Sequence, residues 1–135
     1  MKESLVDTDI LSEFLKGNTD IISKIDEHLS LFGFINLSII TYYEIMNGLL
    51  YKDSKGKLPF FEEFISYNKM LPISLDVAKI SAIISSDLRK KRMEIGHFDT
   101  LIAGTAIVNN LQLVTNNVKH FSRIQNLEIV NWKNY

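Results

Sequence analysis

The chain has 135 residues, of which 46% are hydrophobic and 23% charged, a composition that predicts one globular domain over residues 1–135 and excludes a disordered chain. It contains no cysteine, which excludes disulfides, thiolate zinc sites and a cysteine nucleophile, and fits a reducing compartment. The 15 basic and 16 acidic residues give a net charge of -1, which argues against a module that binds nucleic acid through a basic surplus alone.

The first half of the chain alternates short strand-like runs with helical patterns. Residues 4–6 predict a strand that ends at Asp7, and residues 34–37 predict a second strand. Helices are predicted over residues 10–16, from a cap at Thr19 to Leu29, and over 38–50 and 58–68. Charges interrupt the short apolar run at the start, so we expect no signal peptide there.

The second half continues this alternation. Extended segments are predicted at 71–75, 111–114 and 127–132, and helices at 76–92, 98–108 and 118–124. The helix at 98–108 is nearly uncharged, and its small side chains at Ala103, Gly104 and Ala106 favour close packing against a sheet. No apolar segment approaches the ~20 residues of a membrane helix, so we expect a cytoplasmic protein with no membrane contact.

Short strands that alternate with helices are typical of a parallel sheet covered on both faces. The connections between parallel strands are expected to be right-handed. The sequence therefore predicts an α/β fold, a three-layer α/β/α sandwich with a short parallel sheet of four or five strands.

Acidic and amide side chains lie where the chain leaves the predicted strands. Asp7 ends the first strand, Glu44 lies early in the helix after the second, Asp99 opens the small-residue helix, and Asn117 follows the strand at 111–114. In an open α/β sheet ligands bind beyond the carboxyl ends of the strands. If these residues share that edge, three carboxylates converge.

Converging carboxylates repel one another, by ~4 kcal/mol for two charges about 4 Å apart at an effective dielectric near 20. Such a cluster protonates, attracts basic side chains or binds a cation. Oxygen-only ligands select hard ions, so Mg²⁺ is the expected cofactor and Mn²⁺ a plausible substitute. Because Mg²⁺ leaves positions for water and phosphate, the pattern indicates phosphodiester chemistry.

Each acid by itself also has a purely structural explanation. Thr41 and Glu44 fit a capping box, Asp99 would complement the positive end of its helix, and Asp9 would serve as a helix cap. Asp7 is harder to explain in this way, because it directly follows a buried strand. The acids together, at successive strand ends, favour a site.

Four segments resemble, in order, the motifs of the PIN-domain family, and within it the VapC-type toxins of toxin–antitoxin pairs. They are residues 5–11, residues 38–44 with Gly48, residues 95–103, and residues 113–121, which the last strand at 127–132 follows. The resemblance covers almost the whole chain. It implies a metal-dependent endoribonuclease that hydrolyses RNA, acts as a homodimer, and is obstructed by a cognate antitoxin protein.

The resemblance makes Asp7, Glu44 and Asp99 the catalytic residues and the metal ligands. Two positions depart from the family pattern, because Asn117 stands where many members have an acid and Asp9 where Asn is common. Both are candidate additional ligands, and the number of ions stays open.

Three further residues are expected to support the metal ligands or to contact the substrate phosphate: Thr8, Thr115 and Asn116. The basic run at 89–92 either contacts RNA or occupies a favourable helix C-terminus.

Two other functions remain open at this point. An aspartyl-phosphate phosphatase would use Asp7 and Asp9 after the first strand, but it requires a later acidic pair, and no acid follows Asn117 until Glu128. A catalytically inactive domain that only binds a partner would not require three converging acids.

Overall fold

The computed structural model describes residues 1–133. The strands of the described chain are β1 (Ser4–Val6), β2 (Asn36–Ser38), β3 (Lys69–Leu71), β4 (Gln112–Val114) and β5 (Ile129–Val130). They form one parallel sheet in the order β3-β2-β1-β4-β5, which confirms the predicted parallel sheet. The last two residues of the predicted domain lie outside the described residues.

The helices cover both faces of this sheet. They are α1 (Thr8–Leu15), α2 (Thr19–Phe32), α3 (Ile39–Tyr51), α4 (Lys57–Ser66), α5 (Leu75–Lys90), α6 (His97–Val108) and α7 (Val118–Phe121). Within residues 1–133, none of them is both long enough and apolar enough to cross a bilayer.

Two hydrophobic cores lie on opposite faces of the sheet. Because side chains alternate along a strand, Leu5 and Leu113 point into one core while Val6 and Val114 point into the other. Helices α1 to α4 pack on the Val6 side, and α5 to α7 supply residues to the Leu5 side. The predicted three-layer α/β/α sandwich is therefore confirmed.

Strand β1 lies at the centre of the sheet, hydrogen-bonded to β2 on one side and β4 on the other. The chain proceeds from β1 outward to β3, then returns to the opposite side of β1 to form β4 and β5. The gap between β1 and β4 is consequently the topological switch point, where ligands of open α/β sheets bind. Asp7 immediately follows β1 at this point.

The start of α2 differs from the prediction. Asn18, not Thr19, is the N-cap residue, and its side chain accepts hydrogen bonds from the backbone N–H groups of Asp20 and Ile21 at 3.1 and 3.2 Å. Thr19 is the first residue inside the helix. Both side chains are good caps, and the extended backbone at Asn18 decides between them.

The third strand begins two residues earlier than the predicted segment at 71–75. It occupies 69–71, where the Lys69 N–H donates to the Ile35 carbonyl at 3.0 Å. Pro72 follows and has no N–H to continue the ladder, and Ser74 already caps α5 through the Val77 N–H. A proline therefore ends this edge strand.

The last two elements are shorter than predicted. Helix α7 ends at Phe121 rather than at residue 124, and β5 covers only residues 129 and 130 of the predicted 127–132. β5 is an edge strand with one partner, β4, and pairs with it only opposite Leu113 and Val114. The sequence pattern predicts where the apolar run lies, but it does not predict how many of its residues pair with a neighbouring strand.

The small residues of α6 serve two different contacts. Ala103 and Ala106 pack in the core beneath the sheet, as predicted. Gly104 instead faces α5, where a Cβ would collide with the Ser81 side chain. The glycine therefore sets the approach of two helices rather than of helix and sheet.

Candidate active site

Asp7 is the buried centre of the candidate site, with 4% of its surface exposed. It is the N-cap of α1, and its Oδ1 accepts the Thr8 backbone N–H at 2.8 Å. Its Oδ2 accepts the Thr115 hydroxyl at 2.7 Å. Because Thr115 directly follows β4, the neighbouring strand at the switch point fixes the orientation of this carboxylate.

The surroundings of Asp7 disfavour its charge. Burial raises the pKa of Asp7 to about 8, and the nearby Asp9 and Asp99 carboxylates raise it as well. The hydrogen bonds from Thr115 and Thr8 lower the pKa but do not offset the burial. A carboxylic acid with a pKa above neutrality is an uncommon group, typical of functional sites.

Asp9 is the second member of the cluster. Its Oδ2 accepts the backbone N–H of Asn116 at 3.1 Å, whereas its Oδ1 is shielded from solvent and has no hydrogen-bond partner in the described part of the chain. Burial raises the pKa of Asp9. Since Asp7 occupies the N-cap position of α1, the explanation of Asp9 as a cap is wrong.

Asp99 is the third residue of α6 and joins the same cluster. Burial raises the pKa of Asp99, the nearby His120 lowers it, and the Asp9 charge raises it. The helix start at Gly96 has no side-chain cap, so Asp99 is not a capping residue, although its charge still suits the helix dipole. The structure thus places Asp7, Asp9 and Asp99 within mutual electrostatic reach.

Glu44 lines the same cavity as the three aspartates. Its Oε1 accepts the Thr8 hydroxyl at 2.7 Å, and the strongest charge effects on the aspartates do not include it. Ser38 caps α3 by accepting the Thr41 N–H at 3.0 Å, so Thr41 lies inside the first turn. The capping-box explanation of Glu44 is therefore wrong.

Asn117 also lines the cavity, and its position depends on two neighbours. Its backbone N–H donates to the Thr115 hydroxyl at 3.0 Å, and its side-chain amide lies 2.9 Å from His120 Nδ1. Sequence analysis did not single out His120 as a site residue. The sequence feature that indicates His120 is its spacing of three residues from Asn117, because residues at that spacing lie on one side of a helical turn.

A cavity of about 410 Å³ opens over these residues and is lined by Asp7, Asp9, Glu44, Asp99 and Asn117. Its donor set is oxygen-rich, which suits a hard divalent cation. The unpartnered Asp9 Oδ1 is a ligand atom in reach of the cavity, and a nearby cation would favour the charged form of Asp7, whose pKa burial raises. These residues therefore fit a divalent cation.

The acids do not form a closed ligand cage. Within residues 1–133, no three or more His, Asp or Glu side chains are grouped so that they could together hold a metal ion. An open arrangement is compatible with Mg²⁺, which commonly takes one or two carboxylates and keeps several waters. The ligand roles of Asp7, Glu44, Asp99, Asp9 and Asn117 stay predictions.

The fold and the site together define an α/β protein with an acidic cluster around the buried Asp7 at its switch point. The sequence profile of the PIN domain matches residues 4–127 of the chain. Ribonuclease VapC1 of Rickettsia felis is 33% identical over 130 residues, which cover 93% of each chain. The protein therefore belongs to the PIN domain family, and its sequence is similar to the VapC proteins.

Solved structures show the same architecture. DNA-bound VapBC from Salmonella typhimurium has a chain that matches with a TM-score of 0.88 and 27% identity, over 98% of this protein and 100% of that chain. VapBC2 from Rickettsia felis, bound to a DNA fragment from its promoter, matches with a TM-score of 0.87 and 29% identity, over 96% and 98% of the two chains.

Proposed function

We propose that the protein is a metal-dependent endoribonuclease that hydrolyses RNA phosphodiester bonds and is the toxin of a toxin–antitoxin pair. The observation that carries this proposal is the cluster of buried Asp7 with the partly buried Asp9 and Asp99 at the switch point of a PIN domain. The similarity to a protein named ribonuclease VapC1 supports the same reaction.

The proposed cofactor is Mg²⁺, for which Mn²⁺ substitutes. Asp7 and Asp99 are the proposed direct ligands, Asp9 Oδ1 is an additional ligand atom, and Asn117 acts through water. When bound, the cation offsets negative charge on the phosphodiester and favours ionisation of the attacking water.

The chain's own residues position these groups. Thr115 and Thr8 donate hydrogen bonds to Asp7, so both of its carboxylate oxygens are oriented before substrate binds. The Thr8 hydroxyl also donates to Glu44, whose proposed role is to accept the proton of the attacking water. The Asn116 N–H fixes one oxygen of Asp9 and leaves the other for the cation.

The proposed partners are an RNA substrate, a cognate antitoxin and a second copy of the chain. The antitoxin proposal is supported by the match to structures described as VapBC. The homodimer proposal is supported by an exposed ring pair, Tyr43 on α3 and Phe98 on α6, whose centroids are 5.6 Å apart. Paired aromatic side chains on a surface are typical of interfaces.

Cleavage of structured RNA by the wild-type protein and by Asp7→Asn tests the reaction. Each protein is assayed free of antitoxin, with Mg²⁺ and with a chelator. We expect cleavage only by the wild type with Mg²⁺, and a loss of about 10³-fold or more in Asp7→Asn, because the cation loses its most constrained ligand. Folded, Mg²⁺-loaded wild type that cuts no RNA would contradict the proposal.

Thermal unfolding with and without Mg²⁺ separates this enzyme from an inactive partner-binding domain. The wild type should gain stability with Mg²⁺, and Asp99→Asn should gain much less. A domain that only binds a partner should show little Mg²⁺-dependent stabilisation in either form. A phosphoenzyme after incubation with a phosphate donor would instead indicate an aspartyl-phosphate phosphatase.

A further inference from the structure

The cavity over the acidic cluster extends along two neighbouring helices, α1 and α3, which contact each other. Each helix leaves the sheet near the acids and ends at a lysine. Lys16 is the C-cap of α1 and Lys52 is the C-cap of α3. Both lysines line the same cavity as the acids, so the cavity is a groove with an acidic end and a basic end.

On α1 the groove is lined by Asp9, Ser12 and Lys16. Their spacing of three and then four residues places them on one face of the helix. At 1.5 Å per residue, the Lys16 backbone lies roughly 10 Å beyond Asp9 along the helix axis. A small polar side chain separates the acid from the lysine.

On α3 the groove is lined by Glu44, Gly48 and Lys52, which are spaced four residues apart. A Cβ at Gly48 would meet no atom within 4 Å, so packing does not require glycine there. Glycine inside a helix lowers stability relative to alanine. Its use at Gly48 is explained if the floor of the groove has to stay clear between Glu44 and Lys52.

Lys57, at the start of α4, lines the basic end of the groove beside the other two lysines. Cations are favourable at helix C-termini, which would account for Lys16 and Lys52, but they are unfavourable at a helix N-terminus. No acidic residue lies in the first turn of α4 to offset the charge of Lys57. Helix-end electrostatics therefore does not explain all three lysines.

The three lysines are available to an anion. Within residues 1–133, none of them forms a salt bridge, although Lys16 acts electrostatically on the nearby Glu13 carboxylate. All three are exposed. The groove therefore presents three cations at the end opposite the acids, in a chain whose net charge is only -1.

We propose that Lys16, Lys52 and Lys57, the lysine wall, bind phosphates of single-stranded RNA on one side of the phosphate that is cleaved. The inference rests on the proposed ribonuclease function. A single RNA strand lying along the groove would contact both ends. One of its phosphates would lie at the acidic, cation-binding end, and others would bind the lysine wall.

The test measures binding of a short, labelled single-stranded RNA to the full chain carrying Asp99→Asn, which prevents cleavage. Lys16, Lys52 and Lys57 are changed together to Gln. The matched control changes Lys24, Lys69 and Lys79 to Gln, which removes the same charge from α2, β3 and α5, at positions that do not line the groove. Affinity is measured over a range of salt concentrations, and Tm shows that both variants fold.

We expect the lysine-wall variant to bind about 100-fold more weakly than its parent near 0.1 M salt. Its slope of log affinity against log salt should fall by about 2, because three contacts contribute about 0.7 each for a single strand. The control should keep the parental slope. Equal losses in the two variants would overturn the inference and leave the ribonuclease proposal standing.

Two further outcomes are decisive. Lysine-wall variants that keep RNA affinity but lose binding to the antitoxin would show that a protein occupies the groove, which overturns the inference. Wild type that neither binds nor cleaves RNA would overturn the ribonuclease proposal and this inference together.

Gly48→Ala provides a second test that does not depend on charge. Because the added methyl group meets no protein atom, we expect Tm to rise while RNA affinity falls several-fold. Opposite changes in the two quantities would identify the groove floor as a binding surface. A rise in Tm with unchanged RNA affinity would show that the RNA does not pass over Gly48.

Discussion

The two ends of strand β1 differ in whether their buried polar groups have hydrogen-bond partners. At its amino end the Ser4 N–H donates to His28 Nε2 at 3.0 Å, and His28 Nδ1 donates to the Phe34 carbonyl at 2.9 Å. The Asn36 amide donates to the Ser4 carbonyl at 3.0 Å. His28 is fully buried and both of its ring nitrogens are bonded, so this end is built for stability.

At the carboxyl end of β1, three residues later, neighbouring carboxyl groups repel one another when they are charged. Asp7 and Asp9 have raised pKa values, and Asp9 Oδ1 has no partner in the described part of the chain. Buried groups that a fold leaves unsatisfied lower its stability and tend to mark functional positions. One short strand therefore joins a stabilising end to a functional end.

The largest effect on stability is expected from His28→Ala. The change removes two buried hydrogen bonds, leaves the Ser4 N–H without its acceptor, and opens a cavity beside Phe32 and Trp132. We expect the free energy of unfolding to fall by about 3 kcal/mol in urea denaturation. Mg²⁺-dependent RNA cleavage by the folded fraction should be unchanged.

His97→Ala is the matched control for His28→Ala, because His97 is exposed. Its effect on the free energy of unfolding should stay within about 0.5 kcal/mol. Similar losses in the two variants would contradict a special role for the amino end of β1.

The next largest effect is a dependence of stability on pH that arises at the carboxyl end of β1. The pKa of Asp7 rises from 3.8 to about 8 on folding, so its contribution to stability is fully present below pH 4 and is lost as the pH rises towards 8. We therefore expect the Tm of metal-free wild type to fall relative to Asp7→Asn over this range. Mg²⁺ should reverse the trend in the wild type only.

The pKa of His28 is lowered mainly by burial and gives the opposite dependence. Its contribution is present above the ordinary histidine pKa and is lost as the pH falls below about 6.5. Because His28 is present in both the wild type and Asp7→Asn, its effect cancels in their difference. A pH-independent difference between the two proteins would contradict the raised pKa of Asp7.

The smallest effect is expected at Gly104, which lies between α6 and α5, away from both ends of β1. Gly104→Ala forces a Cβ against the Ser81 side chain and the Val77 carbonyl, so α5 and α6 have to separate slightly. We expect a loss of about 1–2 kcal/mol in the free energy of unfolding. A loss as small as in an exposed-site control would show that the helices adjust freely.

The sequence by itself determined the sandwich architecture and the carboxyl ends of β1 and β4. Both depend on signals within one segment, because strand and helix periodicities of 2 and 3.6 residues follow from local backbone geometry. Asp7 was identified because it directly follows a buried strand. Thr8, Thr115 and Asn116 were expected to support the metal ligands or to contact the substrate phosphate, and each hydrogen-bonds an acid of the site.

Only the tertiary structure decided which acids interact. Asp9 joins Asp7 and Asp99 because the backbone N–H of Asn116, 107 positions away, donates to its carboxylate. Glu44 instead accepts a hydrogen bond from the Thr8 hydroxyl. The bonding of His28 and the meeting of Lys16, Lys52 and Lys57 in one groove likewise depend on elements distant in sequence. Such partners are set by how helices cross the sheet, and no periodicity within a single segment encodes that packing.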